Sequence, residues 1–113
     1  MYYVYMVRCA DGSHYTGLAR HLCRRMREHV EKRRSCAKYT RSHPVVALDG
    51  LWRTQTRAAA ARLEYAIKRL TKEQKQLLLA EPERASTLLL EDAVEAVRGV
   101  DLSMCLTGEF NEE

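Results

Sequence analysis

Five side chains of this sequence could do chemistry together: Tyr5, Tyr15, Arg25, His29 and Glu64. The tyrosines belong to two triplets, Tyr3-Val4-Tyr5 and Tyr15-Thr16-Gly17; Arg25 and His29 follow, and Glu64 lies far downstream. Hydrolysis of a phosphodiester needs a proton acceptor for water, a cation near the phosphate oxygens and usually a metal. A phenol, an imidazole, a guanidinium and a carboxylate could supply all three. Taken singly, each residue has an ordinary explanation. A strand tyrosine packs, Arg25 is a solvated charge, His29 is a satisfied core histidine, and Glu64 pairs with Lys68 at i,i+4. Order and spacing carry the reading.

The elements that must position these groups are legible. Residues 2 to 9 alternate with apolar side chains on both faces, which suits a buried central strand. Asp11-Gly12-Ser13 marks a turn and His14 to Leu18 a second strand, so the two form an antiparallel hairpin with Tyr5 and Tyr15 on neighbouring strands. From 20 to 33, Leu22, Met26 and Val30 trace the stripe of an amphipathic helix. His29 falls within that stripe and Arg25 on its flank, one turn apart on the same side. Ser35 to Ser42 reads as a short helix or loop. Pro44 begins a third strand that resumes around Leu51-Trp52 after a turn at Asp49-Gly50. Thr54 or Thr56 caps a helix from Ala58 to Leu70 with Leu63, Ile67 and Leu70 inward and Glu64 on the flank. Thr71 caps another short helix. Residues 80 to 99 read as a C-terminal helix, with Pro82 tolerated at its start and Leu88 to Val97 amphipathic. The last dozen residues show little pattern.

At 113 residues, with 46% hydrophobic and 30% charged side chains, the chain fits one globular domain and not a disordered or fibrous protein. No apolar run approaches the roughly 18 residues that span a bilayer, and no basic segment leads into an apolar one at the start. A soluble cytoplasmic protein is expected. Cys9, Cys23, Cys36 and Cys105 form no Cys-x-x-Cys pair and read as reduced thiols; the less favoured alternative is a zinc site from Cys23, Cys36 and scattered histidines, whose spacing matches no familiar finger. The net charge of +4 is unevenly spread. Residues 1 to 79 hold 17 Lys or Arg against 6 Asp or Glu, a balance of +11, and residues 80 to 113 hold 2 against 9, a balance of −7. The basic part is the expected nucleic-acid face, since cationic side chains release the counterions condensed on a polyanion. The acidic part could dock a partner, cover the basic face or form a homodimer interface.

With these residues in view, the sequence resembles the GIY-YIG nuclease domain. Tyr3-Val4-Tyr5 and Tyr15-Thr16-Gly17 stand where that family has its two name-giving triplets, Arg25 matches the hallmark arginine, and His29 matches a position held by histidine or tyrosine. Glu64, in Arg62-Leu63-Glu64-Tyr65-Ala66-Ile67-Lys68, matches the metal-binding glutamate. The chain is most similar to small stand-alone bacterial members, through Arg8-Cys9-Ala10-Asp11-Gly12-Ser13, Ala37-Lys38-Tyr39-Thr40-Arg41 and Ile67-Lys68-Arg69-Leu70-Thr71-Lys72. The resemblance covers residues 2 to 79. Tyr3, Val4 and Thr16 depart from the motif at positions that touch packing, and the acidic segment has no counterpart.

The resemblance implies an α+β fold, a three-stranded antiparallel sheet flanked by helices, over residues 1 to 79; residues 80 to 113 read by their own pattern as an acidic extension, helical over 82 to 98. It implies a metal-dependent endonuclease acting on DNA, in repair or recombination. Glu64 would hold Mg2+ or Mn2+, Tyr5 would activate water, helped towards phenolate by Arg25 and a proton-accepting His29, and Tyr15 would position the water or the base. Arg25 would bind the scissile phosphate with its planar fork. Lys38, Arg41, Lys68, Lys72 and Lys75 are expected phosphate contacts, and Tyr39 either stacks on a base or packs. The alternative is a binding module that keeps the fold with little or no turnover.

Overall fold

Strand β1, Tyr2–Cys9, is buried on both faces because it lies between two strands and two layers of helix. In the computed structural model, which describes residues 1–31, 37–90 and 92–112, the antiparallel sheet runs β2-β1-β3-β4. Strand β2 is His14–Ala19 and β3 is Val45–Thr54. The first hairpin pairs Tyr5 with Gly17 and Val7 with Tyr15, so these four positions share one face.

On that face Tyr3, Tyr5 and Val7 pack with Leu22 and Met26 of helix α1, Leu22–Val30. On the other, Val4, Met6 and Trp52 pack with Ala60, Leu63 and Ile67 of α3, Arg57–Lys68. Between them in sequence lies α2, Lys38–Ser42; the expected extensions of these elements into residues 32 to 36 lie outside the described residues. Thr56, not Thr54, caps α3, accepting from the Ala59 N–H at 3.1 Å. Leu70, expected to face inward, is only half-buried. Helix α4, Lys72–Ala80, opens on the expected Thr71, whose hydroxyl accepts from the Gln74 N–H while the Gln74 side chain accepts from the Thr71 N–H.

Two expectations are corrected. Asp49-Gly50 is not a turn: β3 runs through it, and the register against β1 slips there, Met6 facing Gly50 and Val7 facing Leu48. The slip is a bulge that absorbs Asp49 as an extra residue. A Cβ at Gly50 would stand 2.7 Å from the Trp52 ring and 2.8 Å from Leu79, so close packing calls for glycine there. Among the described residues of 80 to 99, the expected helix is also absent. Pro82–Thr87 is one 3-10 segment, and Val94–Ala96 is strand β4 on the open edge of β3. The unpaired edge offers Val94 and Ala96 a ladder and a half-buried face, and it sets Glu95 against Arg53. Among the described residues the sheet therefore has four strands where three were expected.

The extension completes both halves of the core. Ala85 is buried beside the Trp52 cluster, and the Trp52 indole donates to the Pro82 carbonyl at 2.8 Å. Helix α5, Leu102–Thr107, capped by Asp101, buries Cys105 against α1. Near the end of the chain, Phe110 packs edge-on to Tyr3, and Glu112 caps α1: its carboxylate accepts the Leu22 N–H, and its carbonyl accepts the Tyr3 hydroxyl at 2.7 Å.

Candidate active site

The edge strand β2 brings α1 and α3, which pack on opposite faces of the sheet, towards the same phenols. Tyr5 projects from β1 towards α1, and its hydroxyl lies 2.8 Å from His29 Nε2. Both residues are fully buried, 0% exposed. Arg25 Nε donates to the same phenol oxygen over a long 3.4 Å, and its Nη1 donates to Glu28 Oε1 at 2.9 Å. Tyr15, half-buried on β2, sets its ring 6.5 Å from Tyr5 and 5.7 Å from His29. Gly17 permits this arrangement, since a Cβ there would lie 2.4 Å from the Tyr5 oxygen.

Hydrogen-bond directions fix the imidazole. The phenol O–H finds its acceptor in His29 Nε2, because Arg25 can only donate. The other ring nitrogen, Nδ1, lies 2.7 Å from Thr40 Oγ1, and that hydroxyl gives its own hydrogen to the Ala37 carbonyl at 3.1 Å. Thr40 must then accept, so the ring hydrogen sits on Nδ1 and Nε2 is bare. Both ends of the chain require the same tautomer.

Burial pushes the imidazole pKa down to about 4, and the Arg25 charge adds to that, so His29 is a neutral acceptor. Burial also raises the Tyr5 pKa; the hydrogen bond and charge of Arg25 oppose the rise without reversing it. The resting phenolate expected from Arg25 and His29 is therefore not formed. In a dry pocket the cost of an oxyanion outweighs one long contact to a guanidinium.

Glu64, on the flank of α3, has a side chain 23% exposed that meets Lys68 at 3.6 Å. Its charge reaches Tyr5, where it opposes ionisation together with Tyr15. Among the described residues no group of three His, Cys, Asp or Glu comes together to hold a metal. One partly exposed carboxylate, whose charge is felt at Tyr5, is a hard, sparse donor set. It fits Mg2+, which keeps several waters and takes further ligands from a substrate phosphate.

Of the expected nucleic-acid contacts, Lys68 and Tyr39 border the Tyr15 ring. Lys68 Nζ lies 5.7 Å from the centre of the Tyr15 ring. Exposed Tyr39 stacks on Tyr15, 6.0 Å between ring centres, and on His43 at 3.9 Å, and its hydroxyl donates to Ser13 Oγ at 2.6 Å. Lys38 and Arg41 are exposed on the same short helix. Lys72 and Lys75, with His14 and the β1–β2 turn, line a cleft of about 450 Å3. A second cleft of about 310 Å3 is lined by Arg20, His21, Arg24, Arg25 and Glu28.

Sequence reasoning missed Thr40, Gly17 and Ser13 as members of the site. A threonine between exposed Tyr39 and Arg41 on one short helix points to the opposite face, which was the available signal.

The family model for the GIY-YIG catalytic domain matches residues 1–77. A UPF0213 protein of Fusobacterium nucleatum is 40% identical over 82 residues, spanning 73% of this chain and 80% of its own. Another, from Desulfotalea psychrophila, is 39% identical over 83 residues, 74% of each chain. The solution NMR structure of a UPF0213 protein from Bacillus halodurans shares 35% identity and covers 79% of this chain and 97% of that one, with a TM-score of 0.47. The chain belongs to the GIY-YIG family, with the nuclease-type domain of that family. Among the described residues no helix is long and apolar enough to cross a membrane.

Proposed function

We propose that this protein is a divalent-metal-dependent endonuclease that hydrolyses phosphodiester bonds in DNA. The observation that carries this reading is the 2.8 Å contact between the Tyr5 hydroxyl and the bare His29 Nε2, with Arg25 on the same oxygen.

Arg25 turns its fork to the scissile phosphate and gives up the long contact to Tyr5, which opens the phenol oxygen to a water. As that water attacks phosphorus, its proton passes to the Tyr5 oxygen and the phenol proton passes to His29 Nε2. No free phenolate is needed at rest, which agrees with the raised phenol pKa. The resulting imidazolium is held between Tyr5 and Thr40. Tyr15 orients the water from the exposed side, and Glu64 is the residue that would hold the metal. Bound there, Mg2+ or Mn2+ would supply neutralisation of the charge that develops in the transition state. Lys38, Tyr39, Arg41, Lys68, Lys72 and Lys75 grip the flanking backbone and bases.

The test is cleavage of labelled duplex, single-stranded and branched DNA with and without Mg2+. Wild type should cut, and Glu64→Ala and Tyr5→Phe should lose about 100-fold or more while the circular dichroism spectrum stays native. Equal cleavage by all three would expose a contaminant. A second reading, a DNA-binding module without turnover, draws on the protonated, fully buried Tyr5. It predicts metal-independent binding and no cutting by any of the three.

A further inference from the structure

Helix α2 is two-faced. Outward it shows Lys38, Tyr39 and Arg41, and the Tyr39 ring lies stacked against Tyr15. Inward it buries a single hydroxyl, Thr40, 0% exposed and 2.7 Å from His29 Nδ1. The hydroxyl hydrogen is committed to Ala37 in the turn that starts the same helix. Thr40 is thus held as an acceptor, and an imidazole facing a fixed acceptor keeps its hydrogen on that side.

We propose that Thr40 is a positioning residue: it holds His29 in the Nδ1–H form, so that Nε2 stays bare and aimed at the Tyr5 hydroxyl, and it ties this acceptor to the surface where Tyr39 meets nucleic acid. The inference rests on the nuclease reading for its consequence in catalysis, but not for the tautomer. Without the Thr40 oxygen the ring would have, among the described residues, one hydrogen-bonding partner, Tyr5, and no described acceptor would hold the hydrogen on Nδ1. An Nε2–H ring turns its donor towards Tyr5, removes the acceptor of the phenol proton and blocks the transfer. Because Tyr39 and Thr40 are neighbours on one turn of helix, a nucleic-acid contact to the exposed side of this helix restrains the segment that carries the acceptor. DNA contact and proton transfer are thereby linked.

The experiment reads the His29 ring nitrogens by long-range proton–nitrogen NMR on 15N-labelled protein, free and with a short duplex, and pairs this with single-turnover cleavage. Wild type should show a protonated Nδ1 and an unprotonated Nε2. Thr40→Ser should keep that pattern and near wild-type cleavage. Thr40→Val should shift His29 towards the Nε2–H form and slow cleavage by about 10- to 100-fold with DNA affinity unchanged. A wild-type protein with its ring hydrogen on Nε2 would overturn the proposal whether or not Thr40→Val folds. So would a folded Thr40→Val that keeps the Nδ1–H form. If wild type has the Nδ1–H form, Thr40→Val loses it, and no variant or wild type cuts DNA, the positioning role stands and the nuclease reading falls.

Discussion

The Tyr5 ring lies across its register partner Gly17, so close that a Cβ at 17 would stand 2.4 Å from the phenol oxygen and 2.6 Å from the carbon bearing it. The glycine of the second triplet and the tyrosine of the first are one structural unit. The ring is pinned between strand β2 and His29, so a methyl group at 17 must push the hydroxyl off Nε2. Gly17→Ala should cost about 1 to 3 kcal/mol by overpacking and reduce cleavage more than Ala substitution at an exposed lysine. Urea unfolding with parallel cleavage assays reads both effects.

Stability should depend on His29 through mild acid. Its folded pKa of about 4 lies below the ordinary 6.5, so between these values the unfolded chain binds more protons than the native one. The contribution is present above pH 6.5, falls as the pH drops towards 4, and amounts to about 3 kcal/mol across that window. His29→Gln, which cannot titrate, should show a flatter profile from pH 6.5 to 4. Identical slopes for the two proteins in urea titrations would count against a neutral buried imidazole.

The acidic extension is a working part of the fold. Its Glu83, Asp92 and Glu95 engage Arg98, Arg62 and Arg53, while Ala85 and Cys105 fill the two core clusters. Ending the chain at Leu79 should strip the Trp52 indole of its acceptor and bare the faces under α5 and β4. Exposing this much apolar surface predicts loss of the cooperative unfolding transition, readable by near-ultraviolet circular dichroism and thermal melting. A shortened chain as stable as the whole would show that the core closes without the extension.

The basic border should act through charge alone. Removing Lys68, Lys72 or Lys75 singly should weaken DNA binding for every sequence and lower the slope of log K against log salt by about 1 each. Fluorescence anisotropy across a salt series measures this. An unchanged slope in all three variants would place the DNA elsewhere, the cleft of Arg20 and Arg24 being the next candidate.

What was legible in the sequence follows from local rules. The alternation of Tyr2 to Cys9, the turn at Asp11-Gly12-Ser13, the stripe through Leu22 and Met26 and the threonine cap at Thr71 each depend on neighbours in the chain, and each element formed. The failures are non-local. Gly50 reads as a turn residue until Trp52 and Leu79 are seen against it, and Val94 to Ala96 reads as helix until the bare edge of β3 is there to pair with it. Within the site, Tyr5, Arg25 and His29 were singled out by their order, their spacing and the family resemblance, and they do meet. Thr40 and Gly17 act through contacts across the fold, which spacing does not encode. Tyr5 ionisation was misjudged because burial, the dominant influence on it, is a property of the folded molecule.

The most direct test of the central claim is a single-turnover comparison of wild type, Tyr5→Phe, His29→Gln and the double variant on one labelled DNA substrate in Mg2+. If Tyr5 and His29 hand on one proton together, each single change stops the transfer and the double variant is no slower than the worse single one. Rates that fall by multiplying the two single effects, or that match wild type throughout, would contradict it.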